Sequence, residues 1–284
     1  MFARGDPTFI IAEIGINHNG DLDIAKKLIK AAVDSGCNAV KLQKRTIDVV
    51  YTAEELANPR DNPFGHTNGD LKRGLELSHD AYAEIDRYCT ELDILWFASP
   101  WDEQSVDFLE SFNVPCYKIA SASLTDAGLL TRVRETGKPV FLSTGMSELD
   151  EIDKAVSLLD KSRLLLFYCV SLYPAPPEKI NLSAMLSLFE RYNVPVGYSG
   201  HELDTIISAV AVGMGAVAVE RHFTLDREMW GSDHKASINP SEMAELVRNI
   251  RLVEQALGSA DLKCLPEEVP IKLKLRRVDS FNVV

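Results

Sequence analysis

The 284-residue chain has no run of about 18 apolar residues, the minimum for a bilayer-spanning helix, so no membrane span is expected. Its first apolar run, residues 9–11, is too short for the core of a secretory signal and soon meets Glu13. The five cysteines are odd in number and none stands in a Cys-x-x-Cys pair, which excludes a disulfide framework and a zinc ribbon. Reduced thiols and a cytoplasmic location are expected, with Cys116 and Cys169 in apolar runs read as packed core thiols. Low-complexity tracts are missing. Basic residues are outnumbered, 30 Lys and Arg against 42 Asp and Glu, and the net charge of -12 argues against nucleic acid or an anionic membrane as main partner. A local cluster of lysines can still reverse the field in a pocket, so an anionic small substrate is not excluded.

Apolar material is plentiful: 46% of residues are hydrophobic against 25% charged, enough for a sizeable core without disulfides. It is arranged as short continuous runs alternating with amphipathic stretches. The runs 9–16, 39–43, 95–98, 116–120, 140–143, 164–169, 195–198 and 217–222 read as strands buried on both faces. Asp21 can cap a first helix carrying Leu22, Ala25, Leu28, Ile29, Ala32 and Val33 on one side; further helical patterns cover 79–92, 103–112, 126–136, 148–159, 182–192, 203–214 and 241–257. Eight successive β-then-α units predict an α/β fold, a (β/α)₈ TIM barrel, over residues 1–258, with a basic tail over 259–284. An open doubly wound sheet is the alternative that periodicity alone leaves. One interval, 44–78, is long for a βα connection and carries Asn58-Pro59, Asn62-Pro63 and Asn68-Gly69 turn signals, marking a candidate lid at the barrel mouth.

In such a barrel the residues at the C-terminal strand ends share one mouth. The first strand delivers Glu13, Asn17 and His18, the second Lys41, Gln43 and Lys44, the third Ser99, the fourth Lys118 and Ser121. The fifth brings Ser143 and Thr144, the sixth Ser171 and Tyr173, the seventh Ser199 and His201, and the eighth His222 followed by Asp233, His234 and Lys235. A lysine within an apolar strand needs a partner, and two converging with serine hydroxyls suit a small, multiply charged anion. His201 and His222 end neighbouring strands, from which two imidazoles could bind one divalent cation. The first strand reads Asn-His-Asn rather than His-x-His, which disfavours an amidohydrolase-type two-metal site. Lys118 could instead form a Schiff base, as in a lysine-dependent aldolase.

The segments AEIGINHNG, VKLQ, YKIASAS, LSTGMS, LYPAP, GYSGH, ERHFTLDR and SDHKAS resemble, in order, the serial motifs of the sialic acid synthase family, over about residues 9–240. That resemblance implies a (β/α)₈ barrel that condenses phosphoenolpyruvate with N-acetylmannosamine or a related aldose to give a 3-deoxy-2-ulosonic acid and phosphate. It implies a divalent cation, Mn²⁺ first and otherwise Mg²⁺ or Co²⁺, and a homodimer. Carried over residue by residue, Lys41, Ser99, Lys118, Ser121, Ser143, Ser171 and Ser199 would hold phosphoenolpyruvate. Asn17, Gln43, Tyr173 and Asp233 would contact the sugar, His201 and His222 would bind the metal, and Glu13 would stand near the reacting carbons.

The chain departs from the family pattern at three places. Gly200 stands where the family usually reads GYSDH, so a carboxylate near the metal is expected to be missing. Ser171 replaces an Asn common among the phosphoenolpyruvate contacts. Typical bacterial members continue into an antifreeze-like domain that supplies an arginine for the N-acetyl group, whereas KLKLRRVDSFNVV resembles only the linker towards it. The identity of the sugar is therefore not carried over, and a non-catalytic phosphosugar-binding barrel stands beside the aldolase as an alternative.

Overall fold

The computed structural model describes residues 6–278. Eight parallel strands close into a barrel: Phe9–Gly15, Ala39–Lys44, Leu95–Pro100, Tyr117–Ile119, Val140–Ser143, Leu164–Cys169, Val196–Gly200 and Ala218–His222. Closure is made between the first and eighth strands, with Glu13 in register with His222 on one side and with Lys41 on the other. The open-sheet alternative is thereby removed.

Helices follow each strand where capping residues stop the chain from continuing extended. Asp21 accepts from the Ile24 N–H at 3.0 Å to start Leu22–Asp34, and Asp102 accepts from the Ser105 N–H at 2.8 Å to start Glu103–Glu110. Asn239 and Glu242 form a capping box ahead of Pro240, which opens Pro240–Leu257 with its φ already near helical values. The seventh helix begins at Ile206, not at 203 as its apolar pattern suggests, because the carbonyls of Glu202 and Asp204 are taken by the Arg221 guanidinium. Leu28, Ile29, Val106, Leu129 and Leu246 are fully buried between the helices and the barrel wall.

Side chains alternate in and out along a strand. In this barrel that alternation makes two inner layers. Phe97, Phe141 and Phe167 meet in the lower one, with ring centroids 5.6 and 5.9 Å apart in succession. Two residues further along the same strands stand Ser99, Ser143 and Cys169, which belong to the polar layer above. Cys169, expected as a packed core thiol, is buried but faces this layer, with its sulfur 3.3 Å from the Ser121 hydroxyl.

The long interval after the second strand is structured. It contains the helices Ile47–Val50 and Ala53–Ala57, the antiparallel pair Pro59–Asn62 and Gly65–Thr67, and the helix Asn68–Leu75. Asn68-Gly69 opens that last helix and makes no turn, because Thr67 and Asp70 form a capping box around it. The insertion is seated on the barrel by glycine contacts. A Cβ on Gly74 would lie 2.1 Å from the Phe64 ring, and one on Gly20 (φ +74°) 2.0 Å from the Gly74 carbonyl oxygen. At the other end of the chain every described residue from Gln255 to Val278 is exposed, including the helix Val269–Leu275. Residues 279–284, the end of the expected linker-like tail, lie outside the described residues.

Truncating the aromatic floor tests this layering. Phe97→Ala should lower unfolding stability by about 3–5 kcal/mol, the usual cost of an emptied aromatic core site. The shift in urea midpoint measures it, and an unchanged midpoint would show that the floor is not packed.

Candidate active site

The polar layer lines a cavity of about 410 Å³ at the C-terminal end of the strands, a size suited to small ligands. Its centre is a set of buried charges. One oxygen of Glu220, Oε1, accepts from Lys41 at 2.8 Å, Lys118 at 3.3 Å and the Ser199 hydroxyl at 3.4 Å. Lys118 also donates to Ser143 Oγ at 2.6 Å, and its ammonium sits 5.1 Å above the Phe167 ring. Lys41 lies 3.3 Å from Glu13 Oε2, while Glu13 Oε1 accepts from Gln43 Nε2 at 2.9 Å.

The electrostatics follow from burial and neighbours. Burial would raise the Glu220 carboxyl, yet Lys118 and Lys41 outweigh it and hold the group down at about 2. Burial works on Lys41 as well, but Glu13 and Glu220 together hold its ammonium above the usual range. Lys118 is pulled below the ordinary lysine range by burial, against the attraction of Glu220 and aided by the repulsion of Lys41. Glu13 is raised, first by burial, which Lys41 only partly offsets. Two ammonium groups and several serine hydroxyls thus face one cavity, a floor suited to an anion.

Unspent donors surround this charge. Ser99 Oγ, Trp101 Nε1 and Arg45 Nε are buried without hydrogen-bond partners, and all three residues line the cavity. A buried donor left unpaired is costly, so such groups mark where a ligand's oxygens belong. Arg45 stacks over the Trp101 ring at 4.2 Å, and Lys72 of the insertion stands over Tyr51 at 4.9 Å on the cavity rim.

Higher in the mouth the two imidazoles lie 5.5 Å apart, ring centroid to centroid. The Tyr173 ring covers His201 at 4.1 Å and meets His222 edge-on at 5.6 Å. His201 Nδ1 is 2.7 Å from the Val170 carbonyl, so that nitrogen carries the proton and Nε2 keeps a free lone pair. Burial, then the neighbouring His222, pushes His201 down to about 3, and it is neutral at pH 7. His222 Nδ1 is buried without a hydrogen-bond partner, with Asp233 Oδ2 4.0 Å away. Among the described residues no three His, Cys, Asp or Glu side chains are grouped to enclose a metal ion by themselves. Two imidazoles side by side, one with its Nε2 lone pair left over and one with an unpartnered Nδ1, fit a cation whose other positions are filled by water and substrate.

Of the residues given roles by the family resemblance, all but Asn17 come to this one cavity: Glu13, Lys41, Gln43, Ser99, Lys118, Ser121, Ser143, Ser171, Tyr173, Ser199, His201, His222 and Asp233 line it. Lys44, Thr144, His234 and Lys235, also placed at the strand ends, do not. The Asn17 amide donates to the Phe223 carbonyl and the Ser237 hydroxyl, both at 2.9 Å, and braces the eighth βα loop from behind, where it cannot touch a sugar. His18 is likewise buried and, held down at about 4 by burial, accepts from the Gly20 N–H. Gly200 does not leave a gap in the cavity. A Cβ there would lie 2.7 and 2.8 Å from the Glu202 carboxylate oxygens and 2.8 Å from the Tyr198 ring, and none of these three residues lines the cavity.

The sequence reading missed Glu220, Arg45, Trp101, Tyr51 and Lys72. Glu220 and Arg45 were available, since each stands two residues from a named one, His222 and Gln43, and so shares its face of the strand. Tyr51 and Lys72 carry no such signal, because only the folding of the insertion brings them to the rim.

Among known proteins, the model of the NeuB family matches residues 28–261. The chain is 41% identical to human N-acetylneuraminate-9-phosphate synthase, an alignment covering 95% of this chain and 76% of that protein. It is 39% identical to N,N'-diacetyllegionaminic acid synthase of Legionella pneumophila, covering 95% and 78% of the two. The crystal structure of N-acetylneuraminic acid synthetase from Leptospira borgpetersenii, in complex with citrate, superposes with a TM-score of 0.84 at 31% identity, over 96% of this chain and 94% of that one.

The charge centre makes a prediction about acid stability. Because Glu220 is held down at about 2 from 4.5, its stabilising effect is complete above pH 4.5 and is lost as pH falls towards 2. Glu220→Gln should cost about 3–5 kcal/mol at neutral pH, leaving two buried ammonium groups without that charge. Denaturant titrations should also show that this difference from wild type shrinks steadily on acidification below pH 4.5; a constant difference would contradict the assignment.

Proposed function

This chain belongs to the NeuB family, and from that premise we propose that it condenses phosphoenolpyruvate with an aldose to give a 3-deoxy-2-ulosonic acid and inorganic phosphate. One observation carries the reading: two lysines and a set of unspent hydroxyl and N–H donors converge beside a pair of free imidazole nitrogens. The phosphate and carboxylate of phosphoenolpyruvate are given to Lys41, Lys118 and the hydroxyls of Ser99, Ser121, Ser143, Ser171 and Ser199. The aldose is given to the upper mouth, against Gln43, Tyr173 and Asp233. His201 and His222 would hold a divalent cation, Mn²⁺ in the first instance, which when bound would supply Lewis-acid polarisation of the aldehyde oxygen. The names of the relatives support a sugar of the acylated aminohexose kind. A cytoplasmic setting is proposed on the cysteines, all free among the described residues; no described helix is long and apolar enough to cross a membrane.

The methylene carbon of phosphoenolpyruvate attacks the aldehyde carbon, forming the new C–C bond and turning the carbonyl oxygen into an alkoxide. Glu13, whose carboxyl burial raises above the usual range, is the group given the proton transfer to that oxygen. As a carboxylate it then takes a proton from the water that adds to the phosphate-bearing carbon, which restores it. The adduct collapses to the ketone as its C–O bond to the phosphate group breaks, the hydroxyl proton passing to the departing phosphate, which leaves as inorganic phosphate. Lys118 and Lys41 stabilise the departing charge from fixed positions, so little reorganisation is needed.

Phosphate release from phosphoenolpyruvate, Mn²⁺ and a panel of aldoses tests the reading; no release with any sugar in the panel would reduce the protein to a binding barrel. A chelator should abolish turnover and Mn²⁺ should restore it. Borohydride trapping of substrate on Lys118, with activity surviving the chelator, would instead establish a Schiff-base aldolase.

Two variants separate the subsites. Lys118→Ala should raise the KM for phosphoenolpyruvate about 10- to 100-fold, the worth of a lost charge-assisted hydrogen bond. His222→Ala should leave phosphoenolpyruvate binding intact and abolish turnover. Steady-state kinetics with calorimetry check both, and an unchanged KM in the first would take Lys118 out of the anion site.

A further inference from the structure

Behind the cavity wall, on the outer face of the seventh and eighth strands, lies a second buried ion pair. Arg221 and Glu202 are each 1% exposed, with Arg221 Nη1 3.2 Å from Glu202 Oε1. The Glu202 carboxylate also accepts from the Tyr198 hydroxyl at 2.8 Å and the Ser208 hydroxyl at 3.1 Å. Arg221 donates further to the backbone carbonyl of Asp204 at 2.8 Å, to Ser208 Oγ at 3.1 Å and to the carbonyl of Glu202. Neither residue touches the cavity.

Their place in the chain gives them a task. Glu202 follows His201 directly, and Arg221 directly precedes His222. Arg221 alternates with His222 on the eighth strand and so faces outward, while Glu202, just past the end of the seventh, lies outside the cavity that His201 lines. The pair thus ties together the two backbone segments that carry the imidazoles. It does so through the side chain of Glu202 and through the carbonyls of the loop after His201, which otherwise has no regular structure before Ile206. Arg221 is also in register with Gly200 across the two strands. The space a Gly200 side chain would need is filled by the Glu202 carboxylate, at 2.7 and 2.8 Å from the position of a Cβ. Gly200 and Glu202 are therefore two halves of one arrangement: the missing side chain lets the glutamate fold back onto Arg221.

We propose that Glu202, acting through Arg221, is a positioning residue that sets the spacing of His201 and His222, and that it supplies from position 202 the carboxylate that an acidic residue at 200 would otherwise bring to Arg221. The proposal rests on the metal reading given above for the two histidines. It requires the carboxylate to be interchangeable between the two positions but never present at both, because a single space and a single arginine serve them. Removing it leaves Arg221 buried and uncompensated and frees the loop that carries His201, while Lys41, Lys118 and the serines, on other strands or deeper in the barrel, keep their contacts.

The experiment measures Mn²⁺ binding alone, by electron paramagnetic resonance of the free ion, and phosphoenolpyruvate binding by calorimetry in a chelator. Wild type, Glu202→Ala, Gly200→Asp and the double variant G200D/E202A are compared. Loss of a group that orients a metal-binding histidine typically weakens affinity about 10- to 100-fold. That loss is expected for Glu202→Ala and for Gly200→Asp, with recovery to within about threefold of wild type in the double variant and phosphoenolpyruvate binding equal in all four. If Glu202→Ala does not fold, Glu202→Gln keeps the shape and removes the charge, and the same weakening is expected of it in a protein whose melting confirms the native state. Mn²⁺ affinity unchanged in Glu202→Ala or Glu202→Gln, or a double variant no better than its parents, overturns the clamp while leaving the metal reading standing. Wild type that binds no Mn²⁺ removes the metal reading and the clamp's task together.

Discussion

A single carboxylate oxygen, Glu220 Oε1, is what lets two lysines stand inside an apolar barrel. Burying an ammonium group without a partner costs several kcal/mol, and here Lys41, Lys118 and the Ser199 hydroxyl share the same acceptor. Sharing matters chemically. Two lysines and a hydroxyl crowd one acceptor oxygen, so their donors can also serve an anion while the cluster stays stable without it. Burial also raises the Glu13 carboxyl above the usual range, against the pull of Lys41. The proton transfer proposed for Glu13 draws on that shift.

The period-two alternation of the strands converts this constraint into architecture. Each inward-facing aromatic is followed two residues later by a small polar residue, Phe97 by Ser99 and Phe141 by Ser143, so a dry layer and a polar layer are stacked by sequence alone. Outside the wall the parity is reversed, and Tyr198, Gly200 and Arg221 form a separate network with Glu202. Two buried ion-pair networks thus lie on opposite sides of the eighth strand, one through Glu220 facing the cavity and one through Arg221 behind it.

Much of this could be read from the chain. The strand runs were legible because strands covered on both faces are continuously apolar, and the strand ends stood out because polar groups interrupt those runs at every turn. Helix starts were less so: Ile206 starts its helix late because of hydrogen bonds from Arg221, a residue of the next strand, which no local pattern announces. The lysines were found and their partner was not, since an acidic residue beside Arg221 and His222 reads as one more charge until parity is applied. Asn17 misled for the opposite reason. It sits in the right loop, but its amide is taken by the Phe223 carbonyl and the Ser237 hydroxyl, some 200 residues away in sequence. Gly200 looked like a loss at the site because a motif records which residue is present and not which way its side chain would point.

The Phe97, Phe141 and Phe167 layer gives the barrel a sealed bottom, and a vessel with one neck has an order of filling. Lys118 lies directly on that seal, whereas Tyr173 is more than half exposed at the brim. Whatever settles beneath Tyr173 corks what lies below it. On the proposed reading, a small anion on the lysines would be the first guest and a sugar beneath Tyr173 the second.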